Sequence, residues 1–150
     1  MAHSEVPQAL ERLREAGHRL FALTNSSPRA LDKQLRSAAL ANYFERTFSA
    51  DSARRYKPAP EPYRHVASEL GVATADLRLI AAPGWDTLGA LSAGCRAVFI
   101  ARPGKAPFPW GPQPDIVGSE PPERRRSDSG ADVAQESSRS LIEILNLLPR

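Results

Sequence analysis

The stretch that decides the fold is Leu20-Phe21-Ala22-Leu23-Thr24-Asn25-Ser26-Ser27-Pro28. An apolar run ends in four small polar residues, and a proline follows at a position suited to the start of a helix. This pattern is typical of a buried parallel strand that reaches a loop at the carboxyl edge of an α/β sheet. Backbone N–H groups at the start of a helix, next to hydroxyl and amide side chains, suit an anionic oxygen of a carboxylate or phosphate. An ordinary helix N-cap followed by a turn is the alternative interpretation.

Helices and strands alternate on both sides of this stretch. The apolar spacing predicts strands at 20–23, 46–49, 77–82 and 96–100. It also predicts four helices: one at 6–16, one that begins at 28, one that ends at about 70, and one at 87–93. The alternation predicts an α/β fold: a parallel sheet with helices on both faces and right-handed crossovers. The loops at 24–27, 51–57 and 82–86 are then expected to meet at its carboxyl edge.

The composition changes after residue 100. Seven of the fourteen prolines lie within 103–122, and residues 118–140 are rich in Ser, Glu, Arg and Gly. Such a segment buries too little apolar surface to offset its chain entropy. We therefore expect a core domain over 1–118, closed by a short edge strand within 114–117, and a disordered insertion over 119–137. Leucines and isoleucines at helical spacing then predict a C-terminal helix over 138–150 that docks on the core.

The bulk properties narrow the classes of function. The chain has 150 residues, a net charge of +3 and one tight basic run at 124–126 without interleaved aromatic residues, which argues against nucleic-acid binding. A single cysteine, Cys95, excludes an internal disulfide and suits a reducing compartment. No apolar run has the length of a membrane span, and the first residues show no signal-peptide pattern, so we expect a cytoplasmic protein without a membrane partner. The histidines have no metal-ligand spacing, so no metal site is expected.

Two charged residues are candidates for chemistry at the predicted sheet edge. Lys57 precedes Pro58 in a loop, where a lysine can neutralise a carboxylate or a developing anion. A solvated surface lysine is the alternative. Asp86 follows Trp85 after an apolar strand and needs a partner if it is buried, with Lys57 the nearest candidate. Trp85 either walls a pocket or packs under the next helix.

Three motifs together are similar to those of the haloacid dehalogenase superfamily, and most of all to its type II, L-2-haloacid dehalogenase branch. They are Leu23-Thr24-Asn25-Ser26-Ser27-Pro28, Tyr56-Lys57-Pro58 with Tyr63 following, and Ala81-Ala82-Pro83-Gly84-Trp85-Asp86-Thr87-Leu88-Gly89-Ala90. The similarity spans about residues 6–118, with the three motifs in the same order and spacing. It implies a Rossmann-like hydrolase in which an aspartate of an Asp-x-x-Gly-Thr motif displaces halide and forms an ester that water hydrolyses.

The resemblance also implies roles for individual residues. Thr24 and Asn25 would bind the carboxylate of a small anionic substrate such as a 2-haloacid, and Tyr63 and Trp85 would line its pocket. Lys57 would pair with the nucleophile, and Asp86 would hold Lys57 and position water. No cofactor is implied: the magnesium of the superfamily's phosphatases needs two acids in the last motif, where Asp86 stands alone.

The departures from the family pattern limit what this chain is expected to do. It contains no Asp-x-x-Gly-Thr motif, and Ala81-Ala82-Pro83 replaces the Ser-Ser-Asn of the dehalogenases. The leading hypothesis is a C-terminal part of such a hydrolase, incomplete at the N-terminus and inactive alone. The alternatives are a non-catalytic carboxylate- or phosphate-binding or regulatory module, and an enzyme completed by another chain. Without the family's first strand, the strands at 20–23 and 77–82 are expected to lack their shared neighbour, which favours self-association into a homo-oligomer.

Overall fold

The computed structural model describes residues 5–100, 106–107, 109–114, 116–118 and 140–143. The helices are α1 (Glu5–Glu15), α2 (Pro28–Ser37), α3 (Pro60–Leu70) and α4 (Gly84–Ser92). The strands are β1 (Leu20–Thr24), β2 (Arg46–Ser49), β3 (Leu77–Ala81), β4 (Arg96–Ile100), β5 (Ile116–Gly118) and β6 (Ser140–Glu143). Short 3-10 turns at Ala41–Tyr43, Ala50–Ala53 and Thr74–Asp76 lie between them.

The strands form one parallel sheet in the order β2-β1-β6-β3-β4-β5. Side chains of a strand alternate between the two faces of a sheet, and two separate apolar clusters show that alternation here. Phe21 and Leu79 belong to the cluster that α3 and α4 cover, whereas Ala22 and Ile80 belong to the cluster that α1 and α2 cover. The predicted α/β fold, a parallel sheet with helices on both faces, is confirmed.

The sequence stretch that begins at β1 folds as its residue types dictate. All five residues of β1 are buried, and Ser27 then caps α2, its Oγ accepting a hydrogen bond from the N–H of Ala30 at 3.3 Å. Pro28 occupies the first turn of α2, where no backbone donor is needed. The strand therefore ends at the carboxyl edge of the sheet, and the polar residues 24–27 form the loop there.

The predicted helix over 138–150 is wrong at 140–143, where the structure has β6. The prediction that β1 and β3 lack a shared neighbour is also wrong, because β6 lies between them and pairs with both. Residues 141–145 read Leu-Ile-Glu-Ile-Leu, a run that suits either a helix face or a central strand. The facing edges of β1 and β3 carry backbone N–H and C=O groups that need hydrogen-bond partners. A strand supplies those partners and a helix does not, so the segment is a strand.

The predicted edge strand and the predicted disordered insertion both concern the part of the chain after residue 100. The predicted edge strand within 114–117 is present as β5, which lies at the end of the sheet. The predicted disordered insertion over 119–137 lies outside the described residues. Within the part of the chain that the structure describes, no helix has the length and apolar character needed to cross a membrane.

Candidate functional site at the carboxyl edge of the sheet

Lys57 is the centre of the candidate site. Its ammonium donates hydrogen bonds to Asp86 Oδ2 at 2.8 Å and to the backbone carbonyl of Leu23 at 3.3 Å. The residue is 5% exposed, so the alternative of a solvated surface lysine is wrong. The ammonium is therefore a positive charge held almost out of water, at the end of β1.

Asp86 is completely buried and receives two donors. Lys57 binds one carboxylate oxygen, and the hydroxyl of Tyr63 donates a short hydrogen bond to the other. Asp86 lies in the first turn of α4, where the positive end of the helix dipole favours an anion. The carboxylate is thus held on both oxygens, and its geometry is fixed from two elements.

Burial changes the protonation behaviour of both partners of Asp86. Desolvation lowers the pKa of Lys57, and attraction to Asp86 opposes that shift without cancelling it. Desolvation and the adjacent carboxylate both raise the pKa of Tyr63, so its hydroxyl keeps its proton and remains a donor to Asp86. The charge of Lys57 therefore depends on its neighbour Asp86.

Asn25 holds the backbone of Lys57. Its Oδ1 accepts the N–H of Lys57 at 2.8 Å, and its Nδ2 donates to the Lys57 carbonyl at 3.1 Å. The Lys57–Pro58 peptide bond is cis. The side-chain amide of Asn25 thus pairs with both the N–H and the carbonyl of Lys57, as the backbone of a neighbouring strand would. It thereby holds the lysine loop at the end of β1. Its assignment to the substrate carboxylate stays a prediction, for which one N–H and one lone pair remain.

Thr24 is 8% exposed and precedes Asn25 at the end of β1. Its Oγ1 accepts the N–H of Ser26 at 3.1 Å, which leaves the hydroxyl proton available for donation. A threonine used in this way presents a donor to an anion at the sheet edge. The predicted role in substrate binding is compatible with this geometry and stays a prediction.

Trp85 and Tyr63 were both predicted to line the substrate pocket, and the structure places them differently. Trp85 is 38% exposed, and its ring centroid lies 5.8 Å from Lys57 Nζ, which is within the range of a cation–π contact. Tyr63 is fully buried, and its hydroxyl contacts Asp86. The contact with substrate stays a prediction for both residues.

Gly89 lets α4 approach the site. A Cβ atom there would lie 2.7 Å from the hydroxyl oxygen of Tyr63 and 2.8 Å from the carbonyl oxygen of Pro58. Both distances are far below van der Waals contact, so the close approach requires a residue without a side chain. The groups that Gly89 lets α4 approach are thus the hydroxyl of Tyr63 and the lysine loop.

Metal and thiol chemistry have little support in the described part of the chain. No group of three or more histidine, cysteine, aspartate or glutamate side chains there has the geometry to hold a metal ion. Cys95 is 6% exposed, as expected for a buried small hydrophobic residue, and burial raises its pKa to about 11. A thiol of this kind is a poor nucleophile.

The structure therefore brings together all the residues singled out from the sequence at the sheet edge: Thr24, Asn25, Lys57, Tyr63, Trp85 and Asp86. Sequence reasoning missed the Leu23 carbonyl, since backbone acceptors carry no sequence signal. It also missed the clamp that Asn25 places on Lys57. An asparagine after a buried strand and a lysine before a proline are separate local signals, and only the fold joins them.

The profile of a family described as haloacid dehalogenase-like hydrolase matches residues 1–80. Haloacetate dehalogenase H-2 of Moraxella sp. (strain B) is 33% identical over 113 residues, which are 75% of this chain and 50% of that protein. (S)-2-haloacid dehalogenase of Pseudomonas sp. (strain YL) is 31% identical over 75% of this chain and 48% of that protein. The chain thus spans about half the length of the curated relatives it matches.

The fold agrees with this similarity. A solved L-2-haloacid dehalogenase superposes with a TM-score of 0.75 at 29% sequence identity, over 90% of this chain and 56% of that one. The family profile covers more than half of the chain, and the three motifs identified from the sequence meet at one sheet edge. The chain belongs to the haloacid dehalogenase-like hydrolase family.

Proposed function

We propose that this chain forms the anion-binding and charge-neutralising part of a type II 2-haloacid dehalogenase-like site. The observation that carries the proposal is the buried Lys57–Asp86 pair, held by Asn25 and Tyr63 at the end of β1. A fixed ammonium in a water-poor environment stabilises a carboxylate or a developing negative charge far better than a solvated one does. The similarity to haloacid dehalogenases supports a small 2-haloacid as the ligand class.

In the reaction of such a site, a carboxylate oxygen forms a bond to the carbon that carries the halogen, and the halide leaves with the bonding electron pair. Water then adds to the ester carbonyl, which releases the hydroxy acid and restores the carboxylate. This chain has no Asp-x-x-Gly-Thr motif to supply that carboxylate. Asp86 does not replace it, because both of its oxygens are engaged by Lys57 and Tyr63. The proposal is therefore ligand binding without turnover by this chain alone.

Trp85 provides the readout for a binding test. The chain has two tryptophans, and Trp110 lies outside the Lys57 cluster and is 75% exposed. In a Trp110→Phe background, titration with 2-chloropropionate is expected to change the Trp85 fluorescence saturably. Thr24→Ala and Lys57→Met should abolish the change, and Lys33→Met, at an exposed position on α2, should leave it intact. An unsaturable response, or one that survives Lys57→Met, would refute binding at this site.

Turnover is tested separately. Chloride release from 2-chloropropionate by the purified chain is expected to stay at the background of the buffer. Sustained chloride release would refute the inactive assignment and would leave the binding result untouched. Binding is also expected to be unaffected by a chelator, because the proposed site holds its anion with Lys57 and Thr24 and needs no magnesium.

A second candidate is a carboxylate- or phosphate-binding module with no chemistry of its own. The completed sheet favours it, since β6 gives β1 and β3 a partner on both sides. Calorimetric titrations with inorganic phosphate and with L-lactate distinguish the two candidates. Preference for phosphate over both 2-chloropropionate and lactate supports the module, whereas preference for the haloacid supports the dehalogenase-like site.

A further inference from the structure

The last described strand of the chain occupies the centre of the sheet. β6 pairs in parallel with β1 on one side, where Leu20 lies opposite Leu141 and Ala22 opposite Glu143. It pairs in parallel with β3 on the other side, from Leu77 opposite Ser140 to Ile80 opposite Glu143. Four residues, distant in sequence from both neighbours, therefore complete the hydrogen-bond ladders of two strands.

β6 is also what joins the two halves of the sheet. In the described residues, β2 and β1 form one ladder, β3, β4 and β5 form another, and the link between the two ladders is β6. Neighbouring strands lie roughly 4.8 Å apart, so β1 and β3 are about 10 Å from each other and do not bond directly. Without β6, a gap lined by unpaired backbone groups would separate the halves.

The candidate site spans this gap. Lys57 is attached to the first half through the Leu23 carbonyl and Asn25, which follow the line of β1. Asp86 belongs to the second half, on the helix that follows β3. The strand in the gap therefore sets the separation at which the ammonium and the carboxylate meet.

The gap selects its occupant by chemistry. A central parallel strand is covered on both faces, which favours apolar residues, and Leu141 and Ile142 in the middle of β6 are apolar while Ser140 and Glu143 at its ends are polar. β1 and β3 contribute to the buried clusters on both sides of the sheet. The run Leu-Ile-Glu-Ile-Leu at 141–145 is largely apolar, whereas residues 118–139 before it are not. An extended segment with an apolar centre, in parallel orientation, is what the gap accepts.

The chain that leads to this segment is long. β5 lies three strands from β6, a separation of roughly 15 Å at the usual strand spacing. Residues 119–139 connect them, and an extended chain covers roughly 3.3 to 3.6 Å per residue, several times what the separation requires. The connection therefore does not by itself force the segment into the gap; the two ladders hold it there.

We propose that the gap between β1 and β3 is a binding site for an extended peptide strand with an apolar centre. The chain fills this strand-binding gap with its own segment Ser140–Glu143, which acts as a tethered ligand and thereby assembles the Lys57–Asp86 pair. This inference concerns the assembly of the site and does not depend on the proposed carboxylate ligand. Its test needs no substrate.

The test supplies the strand from outside. In the full-length chain, Ile142→Pro removes a ladder N–H in the middle of β6, whereas Ser140→Pro changes the first residue of the strand, where proline is tolerated. A fluorescein-labelled peptide of residues 138–148 is titrated against the wild type and both variants, and anisotropy is measured. We expect saturable binding to Ile142→Pro, and binding at least about tenfold weaker to the wild type and Ser140→Pro, since the tether holds the native strand at a high effective concentration.

Hydrogen exchange locates the bound peptide. Ile142→Pro should lose protection of the β1 and β3 amides, and the peptide should restore it, while β4 changes much less. A labelled peptide that carries the same proline should neither bind nor protect. If Ile142→Pro does not fold, the milder Ile142→Ala replaces it, and the peptide is expected to raise the melting temperature of that variant but not of the wild type.

Three results would overturn the proposal. One is equal peptide binding to the wild type and Ile142→Pro, because a filled gap must compete. Another is unchanged protection of β1 and β3 in Ile142→Pro. The third is a wild-type dimer in sedimentation equilibrium that dissociates when the unlabelled peptide is added, because the gap would then hold the strand of a second copy and not the tethered segment.

Discussion

Asp86 provides the counter-charge of Lys57 inside the protein and favours its protonated form. The side chains of the two residues are 1% and 0% exposed, so water screens neither charge. A buried ion pair gains its attraction at the cost of two desolvated groups, and it is most vulnerable when one partner is removed. At the residue scale, a single substitution of either partner therefore leaves the other as an unpaired charge in the protein interior.

Asp86→Asn is expected to lower the free energy of unfolding at neutral pH by about 3 to 5 kcal/mol, because it leaves the Lys57 ammonium buried without a counter-charge. The double variant Lys57→Met with Asp86→Asn should recover part of this loss. The pKa of Lys57 is already lowered in the folded protein, and it falls further in Asp86→Asn. The folded state then binds fewer protons than the unfolded one below pH 10.5, so the stability of the variant should rise with pH. Urea unfolding at pH 7 and pH 9 measures both effects, and equal loss in the single and double variants would contradict the assignment.

The sign of the stability change in Gly89→Ala tests the close approach of α4 to Tyr63 and Pro58. In the interior of a helix, alanine is more favourable than glycine by about 1 kcal/mol, so propensity alone predicts a more stable protein. The added Cβ would meet Tyr63 and Pro58 at less than 3 Å, so we expect a less stable one. Gly17→Ala is the control, because a Cβ there has no neighbour within 4 Å and the cost comes from its positive φ alone. Thermal unfolding compares the three proteins, and a stabilised Gly89→Ala would show that α4 can move away from Tyr63.

At the element scale, α2 depends on the loop that precedes it. Ser27 has extended backbone geometry and caps the helix, whose first turn contains no acidic residue. Ser27→Ala is expected to cost about 1 kcal/mol in the free energy of unfolding, the usual value for the loss of a hydroxyl cap. Ser26→Ala is the matched control, since the hydroxyl that caps α2 is that of Ser27. Equal losses in chemical denaturation would mean that the cap contributes nothing beyond a general effect of the loop.

The elements differ in how far the sequence predicts them. β2 and β4 have the predicted bounds. β4 is an almost continuous apolar run after Gly94, whereas β2 has Phe48 as its one large apolar residue. α4 begins at Gly84, three residues before the predicted start, since Pro83 precedes a glycine that looks like part of a loop. β6 is not predictable from its own residues: Leu-Ile-Glu-Ile-Leu fits two periodicities, and the choice is made by strands more than fifty residues away in the chain.

The candidate site also has features that local sequence predicts and features that depend on the fold. The residue types at the sheet edge predict that Thr24 and Lys57 bind an anion and that Asp86 is the partner of the lysine, since parallel strands bring their carboxyl ends together. The hydrogen bonds among them are not predictable in this way. The clamp of Asn25 on Lys57 and the contact of Tyr63 with Asp86 depend on loop conformations that local patterns do not specify.

At the scale of the whole molecule, two buried groups make stability fall at high pH. Cys95 has a pKa of about 11 in place of 9.0, and the pKa of Tyr63 is raised above its usual 10.0. Above pH 9 the unfolded chain loses the thiol proton while the folded chain keeps it, so each pH step favours unfolding until the folded thiol also ionises near pH 11. A shift of this size corresponds to roughly 2 to 3 kcal/mol.

The lowered pKa of Lys57 acts in the opposite direction below pH 10.5, so the contribution of the thiol is measured as a difference between two proteins. In urea unfolding between pH 8 and pH 11, the free energy of unfolding of the wild type relative to Cys95→Ala is expected to fall between pH 9 and pH 11. The alanine leaves a small cavity that lowers stability at every pH equally, so the slope and not the absolute value is the readout. Tyr63→Phe should reduce the decline above pH 10 in the same way. Parallel curves for the wild type and Cys95→Ala would show that the thiol ionises alike in both states.

The position of β6 also has a consequence for folding during synthesis. A ribosome releases the chain from its N-terminus onward, so the five strands and four helices that the structure describes ahead of β6 emerge before the strand that belongs in the middle. Until then the nascent chain holds two partial sheets with facing open edges, a state in which chaperones or other chains have access to both. Completion of translation through Glu143 is therefore the event that closes the fold, and every shorter nascent chain lacks its centre.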